Sequence, residues 1–169
     1  MGMGRYRPLQ PKSSPYITAE GYQHLQNELV GLWKRRAEVV QALSAAAAEG
    51  DRSENAEYIY RKKELREIDR RIRYLQKRLP DIQVVREPPQ DQCRIFFGAW
   101  VRLTDIKGNE VVYRIVGSDE LDSHKGYISI DSPLARALLK KGIDEEVIVQ
   151  TPQGLATYEV MEVSYVENV

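Results

Sequence analysis

Two carboxylates three residues apart, Asp51 and Glu54, lie in the stretch Gly50-Asp51-Arg52-Ser53-Glu54-Asn55-Ala56-Glu57-Tyr58. At a helical start that spacing puts them on one face, a turn apart. Two carboxylates are what Mg²⁺ commonly takes from a protein, its other ligands being water and phosphate. Exposed at a tip, the pair alone holds Mg²⁺ weakly. Docked beside a site that already holds phosphates and a metal, it would complete a two-metal arrangement that orients a water for phosphodiester hydrolysis. The spacing equally suits plain architecture. Asp51 as N-cap with Glu54 at the third helical position is an aspartate version of the capping box, and acidic residues in a first turn suit the helix dipole.

A second chemical feature follows at once. Between positions 61 and 78 stand Arg61, Lys62, Lys63, Arg66, Arg70, Arg71, Arg73, Lys77 and Arg78, opposed only by Glu64, Glu67 and Asp69. Nine cations against three anions leave six net positive charges. Lys62, Arg66, Arg70, Arg73 and Lys77 follow helical spacing and line one side. A basic stripe leading to an acidic tip suits a nucleic-acid backbone guided towards that tip, with Tyr60 as a stacking surface. The alternative is a solvated helical flank whose charges pair with Glu28 and Glu38.

The elements that must hold these groups are legible as heptads. Tyr22, Leu29, Arg36 and Leu43 recur every seven residues, interleaved with Leu25, Leu32, Val39 and Ala46. Tyr58, Leu65, Ile72 and Leu79 do the same, interleaved with Arg61, Ile68, Leu75 and Ile82. Two such seams around one short break predict an antiparallel coiled-coil hairpin. Pairing Tyr22 with Leu79, Leu29 with Ile72, Arg36 with Leu65 and Leu43 with Tyr58 keeps the index sum constant, and half that sum falls at Gly50. Each helix of roughly 30 residues gives an arm of about 45 Å. Thr18 is the expected first N-cap, with Ile17 stapled to Tyr22. The second helix is expected to start near Asp51 to Ser53 and to end or kink at Pro80.

The predicted organisation is a flexible tail over 1–15, the coiled-coil arm over 16–85 with its acidic tip at 50–55, a linker over 86–93, and a second domain over 94–169. In that domain β-rich segments are expected at Ile95–Leu103, Glu110–Gly117 and Gly126–Ile130. A short helix opens at Ser132-Pro133, and a closing hairpin joins Val147–Thr151 to Leu155–Val166. The fold class is α+β, the second domain a twisted antiparallel sheet against one helix.

Composition excludes several classes. The formal net charge is zero, so charge distribution and not total charge speaks of partners. Cys93 is the single cysteine, which rules out an internal disulfide and fits a reducing, cytoplasmic setting. No apolar run nears the ~18 residues of a membrane span. His24 and His124 belong to no metal-spacing signature, and Gly98 and Gly117 form no phosphate loop. Nothing points to a self-contained enzyme.

The stretch Gly50 to Tyr58 resembles the tip motif of the bacterial Gre transcript-cleavage factors. Phe96-Phe97-Gly98-Ala99-Trp100-Val101 and Ile128 to Leu139 look like the globular domain of the GreB branch of that family, and the resemblance runs from about Tyr16 to Val166. It implies an FKBP-like second domain. It also implies a soluble, monomeric elongation factor that enters the secondary channel of backtracked RNA polymerase and stimulates cleavage of the nascent RNA by the polymerase itself. On that resemblance Asp51 and Glu54 help hold a second Mg²⁺ shared with the polymerase and position the attacking water. Lys62, Lys63, Arg66, Arg70 and Arg73 hold the extruded RNA 3′ segment, and Asp131, Ser132 and Pro133 match the loop that docks at the channel rim. Competing readings are a non-cleaving secondary-channel regulator, a free RNA-binding arm and, last, a prolyl isomerase.

Overall fold

The computed structural model of the protein describes residues 12–49 and 55–167. The chain divides into two compact units: residues 17–86, and residues 87 onward together with the segment ending at Tyr16.

The first unit is the arm. Helix α1 spans Ala19–Ala48 and α2 spans Ala56–Arg78. Thr18 caps α1 as expected, its hydroxyl accepting from the Gly21 amide at 3.1 Å. The seam is the predicted one. Leu25 and Leu75 are buried with Ile17 in a cluster joined by Tyr22, Leu29, Leu32 and Leu79. Further along, Val39, Ile68 and Ile72 bury a second cluster flanked by Leu65. Each such side chain contributes about 1.5–3 kcal/mol through removal from water.

Two seam positions are arginines, and both are partly buried and ion-paired. Arg36, expected opposite Leu65, pairs across the hairpin with Asp69 at 2.7 Å, because a guanidinium needs a partner that an apolar seam does not offer. Arg61 likewise pairs with Glu57 and Glu64.

Two departures close the ends of the arm. The second helix begins five residues later than the earliest predicted start, at Ala56. It stops at Arg78, ahead of a 3₁₀ turn Leu79–Asp81 that holds Pro80 where its missing amide costs nothing. Ile82 therefore packs from outside the helix. A two-stranded sheet, absent from the sequence prediction, pairs β1 (Tyr16–Thr18) with β2 (Gln83–Val85).

The second unit is α+β, as predicted. Its strands are β3 (Trp100–Asp105), β4 (Glu110–Val116), β5 (Tyr127–Ser129), β6 (Glu146–Thr151) and β7 (Gly154–Ser164), in the order β5-β4-β3-β7-β6. Every pairing is antiparallel except β4 with β5, which is parallel; the connection between them is long enough to bring the chain back in the same direction. Within it Gly126 is required. Its φ is +70°, and a Cβ there would stand 2.5 Å from the Val112 carbonyl oxygen.

The first long strand starts at Trp100 and not at Ile95, because Gly98 at φ +85° carries a turn in which the Ala99 amide reaches the Phe96 carbonyl. Helix α3 (Pro133–Leu138) covers the sheet, burying Ala135 and Leu138 against Val101, Leu103, Ile115, Val147 and Val160. The Tyr165 hydroxyl fastens one edge, donating to the Arg94 carbonyl at 2.6 Å and accepting from the Phe96 amide at 2.9 Å.

Candidate functional site

Asn55 is the N-cap of α2. Its Oδ1 accepts from the Tyr58 amide at 3.1 Å, and its Nδ2 donates to the Ala46 carbonyl in the last turn of α1 at 2.9 Å. One side chain thus satisfies an orphan donor of one helix and adds a second donor to a last-turn carbonyl of the other, which also accepts from the Glu49 amide at 3.2 Å. The capping-box reading of Asp51 and Glu54 is corrected by this: the cap position belongs to Asn55, and neither carboxylate is needed for it. Asp51 and Glu54 themselves lie outside the described residues.

The basic residues of the arm sort into two groups. Arg35, Arg36, Arg61 and Arg71 are spent on structure. Arg71 grips Glu28 through two hydrogen bonds, of 2.6 and 3.0 Å, and Arg35 reaches both Glu38 and Glu64. Glu64 also accepts from Arg61 at 3.0 Å. The hydrogen bond from Arg35, helped by that from Arg61, holds the Glu64 carboxyl below the usual glutamate range.

Lys62, Lys63, Arg66, Arg70, Arg73 and Lys77 behave differently. All six are exposed, and among the described residues none makes an ion pair. Glu28 and Glu38, the partners that a solvated flank would have used, are taken by Arg71 and Arg35. At 100° per residue the six fall within an arc of about 100°, centred roughly 160° from the buried face of Ile68, Ile72 and Leu75. Cations aligned this way without carboxylates present a continuous positive face.

In the second unit, Ser132 caps α3 by accepting from the Ala135 amide at 3.2 Å, and Pro133 occupies the first helical position with its ring exposed. The Asp131 carboxylate is engaged by Ser14, whose amide donates at 2.8 Å and whose hydroxyl donates to the other oxygen. Asp131 and Ser132 therefore have local structural work, and Pro133 is the member of the trio presented to solvent. Sequence reasoning missed Ser14, which was read as tail, and Asn55, whose type alone (asparagine directly before a helix) was the available signal.

The N-terminal model of the transcription elongation factor family matches residues 15–84, and the GreA/GreB C-terminal model matches residues 90–165. Transcription elongation factor GreB of Pseudomonas aeruginosa is 57% identical over 164 residues, covering 96% of this chain and 98% of that protein. The chain belongs to the GreA/GreB family. Another relative, GreB of Xanthomonas axonopodis pv. citri, is 58% identical over 165 residues, with the same coverage of 96% and 98%. Among solved structures, a prokaryotic GreA/GreB elongation factor from Nitrosomonas europaea aligns over 90% of this chain and all of that one, at 19% identity and a TM-score of 0.41. GreA/GreB membership accounts for the two-unit order of the chain. No helix among the described residues is long and apolar enough to cross a membrane.

Proposed function

We infer that this GreA/GreB chain is a transcript-cleavage factor that places its arm in the secondary channel of backtracked RNA polymerase, where the polymerase hydrolyses the nascent RNA. The observation that supports this most is the division of labour at the arm. Asn55 caps α2 and ties it to α1, so the start of that helix does not call on Asp51 or Glu54 as its cap, and this reading gives the two carboxylates chemistry outside the protein.

In this reading each part of the chain has one task. The exposed cations Lys62, Lys63, Arg66, Arg70 and Arg73 hold the phosphates of the extruded RNA 3′ segment, sequence-independently. Asp51 and Glu54 are two hard oxygen donors, suited to share a Mg²⁺ with the polymerase; when bound, that ion lowers the pKa of water and neutralises charge on the scissile phosphate. The two carboxylates orient the attacking water. Pro133, with Asp131 and Ser132, meets the channel rim and sets how deep the arm enters. The protein itself turns nothing over and works in the cytoplasm with the polymerase.

The test is RNA cleavage in a purified, backtracked elongation complex with no factor, this protein, or the Asp51→Asn/Glu54→Gln double variant. The expected result is Mg²⁺-dependent shortening from the 3′ end, reduced about 10²-fold in a variant that still binds, the scale on which removal of a positioned charge acts. Binding by the wild-type protein without cleavage would make it a channel-occupying regulator instead.

A further inference from the structure

Trp33 is 47% exposed on α1, whereas Trp100, the other tryptophan, is 8% exposed. An indole half open on a helix face offers a planar apolar surface with a polar edge to whatever lies against it. Its position on the hairpin says what that is. The Arg36–Asp69 ion pair marks one flank of the arm, and the Glu28–Arg71 and Arg35–Glu64 pairs mark the opposite flank. Trp33 lies one turn before Arg36, and the Arg36 guanidinium stands over its ring at 6.0 Å from the centroid. It therefore shares the flank of Asp69.

On α2 that same flank carries Arg66 and Arg73, three residues before and four after Asp69, with Lys62 a turn nearer the tip. The constant index sum of the hairpin sets Trp33 level with Ile68, between Arg66 and Arg73. The indole is thus bordered across the arm by exposed cations that make no ion pair among the described residues, and Asp69 anchors Arg36 beside it.

We propose that Trp33 is a stacking platform for a base of the extruded RNA, the aromatic counterpart of the phosphate-holding stripe. An aromatic face interleaved with cations fits single-stranded nucleic acid of any sequence, since every base offers a π-face. The inference rests on the reading that the stripe holds RNA. Trp33 stands 15 residues before Ala48, roughly 23 Å back from the end of α1. Only a long extruded segment reaches it.

The experiment measures cleavage of backtracked complexes with short and long extruded segments, using wild-type protein, Trp33→Ala, Trp33→Phe and Arg66→Glu. Trp33→Ala is expected to slow cleavage about 5- to 160-fold on long segments, the range of one lost stacked base, and to leave short segments unaffected. Trp33→Phe restores most of the rate. An abasic nucleotide at the stacked position slows the wild-type protein and abolishes its difference from Trp33→Ala. Equal loss on intact and abasic RNA would assign Trp33 to packing and overturn the proposal. Loss with Arg66→Glu but none with Trp33→Ala overturns the stacking alone, and no loss with either removes the underlying stripe reading. A photocrosslink from 4-thiouridine in the extruded segment of the wild-type complex should map to Trp33, and its absence there counts against the platform whatever the variants' stability.

Discussion

The side-chain amide of Asn55 donates to the carbonyl of Ala46 at 2.9 Å, joining the last turn of one arm helix to the N-cap of the other. The same side chain caps α2 through the Tyr58 amide. The two roles use different atoms, so they can be separated by substitution.

Asn55→Asp keeps an acceptor for the Tyr58 amide and loses the donor to Ala46. Asn55→Ala loses both. Thermal unfolding should show the alanine variant destabilised by about 1 kcal/mol or more, the worth of a cap. The aspartate variant should retain helix content by circular dichroism and lose cleavage stimulation through a loosened tip. Equal activity of Asn55→Asp and wild type would remove the Ala46 bond from the account.

Reversing Arg66 and Arg70 to glutamate should leave the arm folded, since neither residue makes an ion pair among the described residues. Cleavage should fall most in deeply backtracked complexes, which expose the longest RNA. The salt dependence of the wild-type rate should flatten in the variant, because fewer phosphates are neutralised. A loss independent of backtrack length would assign these residues to polymerase contact.

Glu64 gives the arm a pH dependence with a definite sign. Its carboxyl lies below the ordinary value of 4.5, chiefly through the Arg35 hydrogen bond. A depressed folded-state value means that the unfolded chain takes up a proton first as pH falls. The stabilisation is present above about pH 4.5 and is lost as pH drops through the lower folded value. Melting of the arm followed from pH 7 to pH 3 should show this decline, and Glu64→Gln should flatten it. An identical profile in the variant would mean other carboxylates carry the acid sensitivity.

Docking and folding separate at α3. Ser132→Ala removes the cap and should cost about 1 kcal/mol of stability in the second unit. Pro133→Ala should shift stability by only about 0.5 kcal/mol, since the ring's main contribution is to the unfolded chain. Polymerase affinity, measured by displacement of a labelled factor, should fall with Pro133→Ala if the exposed ring is a contact. Unchanged affinity would move docking to other residues of the second unit.

Much of this was legible before the structure, and the reasons differ by element. The arm register was readable because heptad spacing is a strong one-dimensional signal, and Leu25, Val39, Ile68, Ile72 and Leu75 all bury where it places them. Spacing placed Arg36 and Arg61 in the seam, but it is blind to the carboxylates, Asp69, Glu57 and Glu64, that pair with them there. The start of α2 was misplaced because aspartate, serine and asparagine are all good caps. Only the geometry assigns that position to Asn55. The β1–β2 pair was invisible, since three-residue strands far apart in sequence leave no period. The parallel β4–β5 pairing escaped for a similar reason: alternation reports a strand's face and not its direction. Of the candidate site, the stripe was legible as charge, but which of its cations make no ion pair among the described residues needed knowledge of where Glu28 and Glu38 point.

The constant pairing sum along the arm makes it a ruler with coarse graduations. Adding or removing one residue in either helix would rotate everything beyond it by about 100° against the other helix, breaking pairings such as that of Arg36 with Asp69. Matched insertions of seven in both helices would preserve every pairing and lengthen the reach by about 10.5 Å. The depth to which such an arm probes can therefore be adjusted by evolution or by design only in steps of that size, and never smoothly.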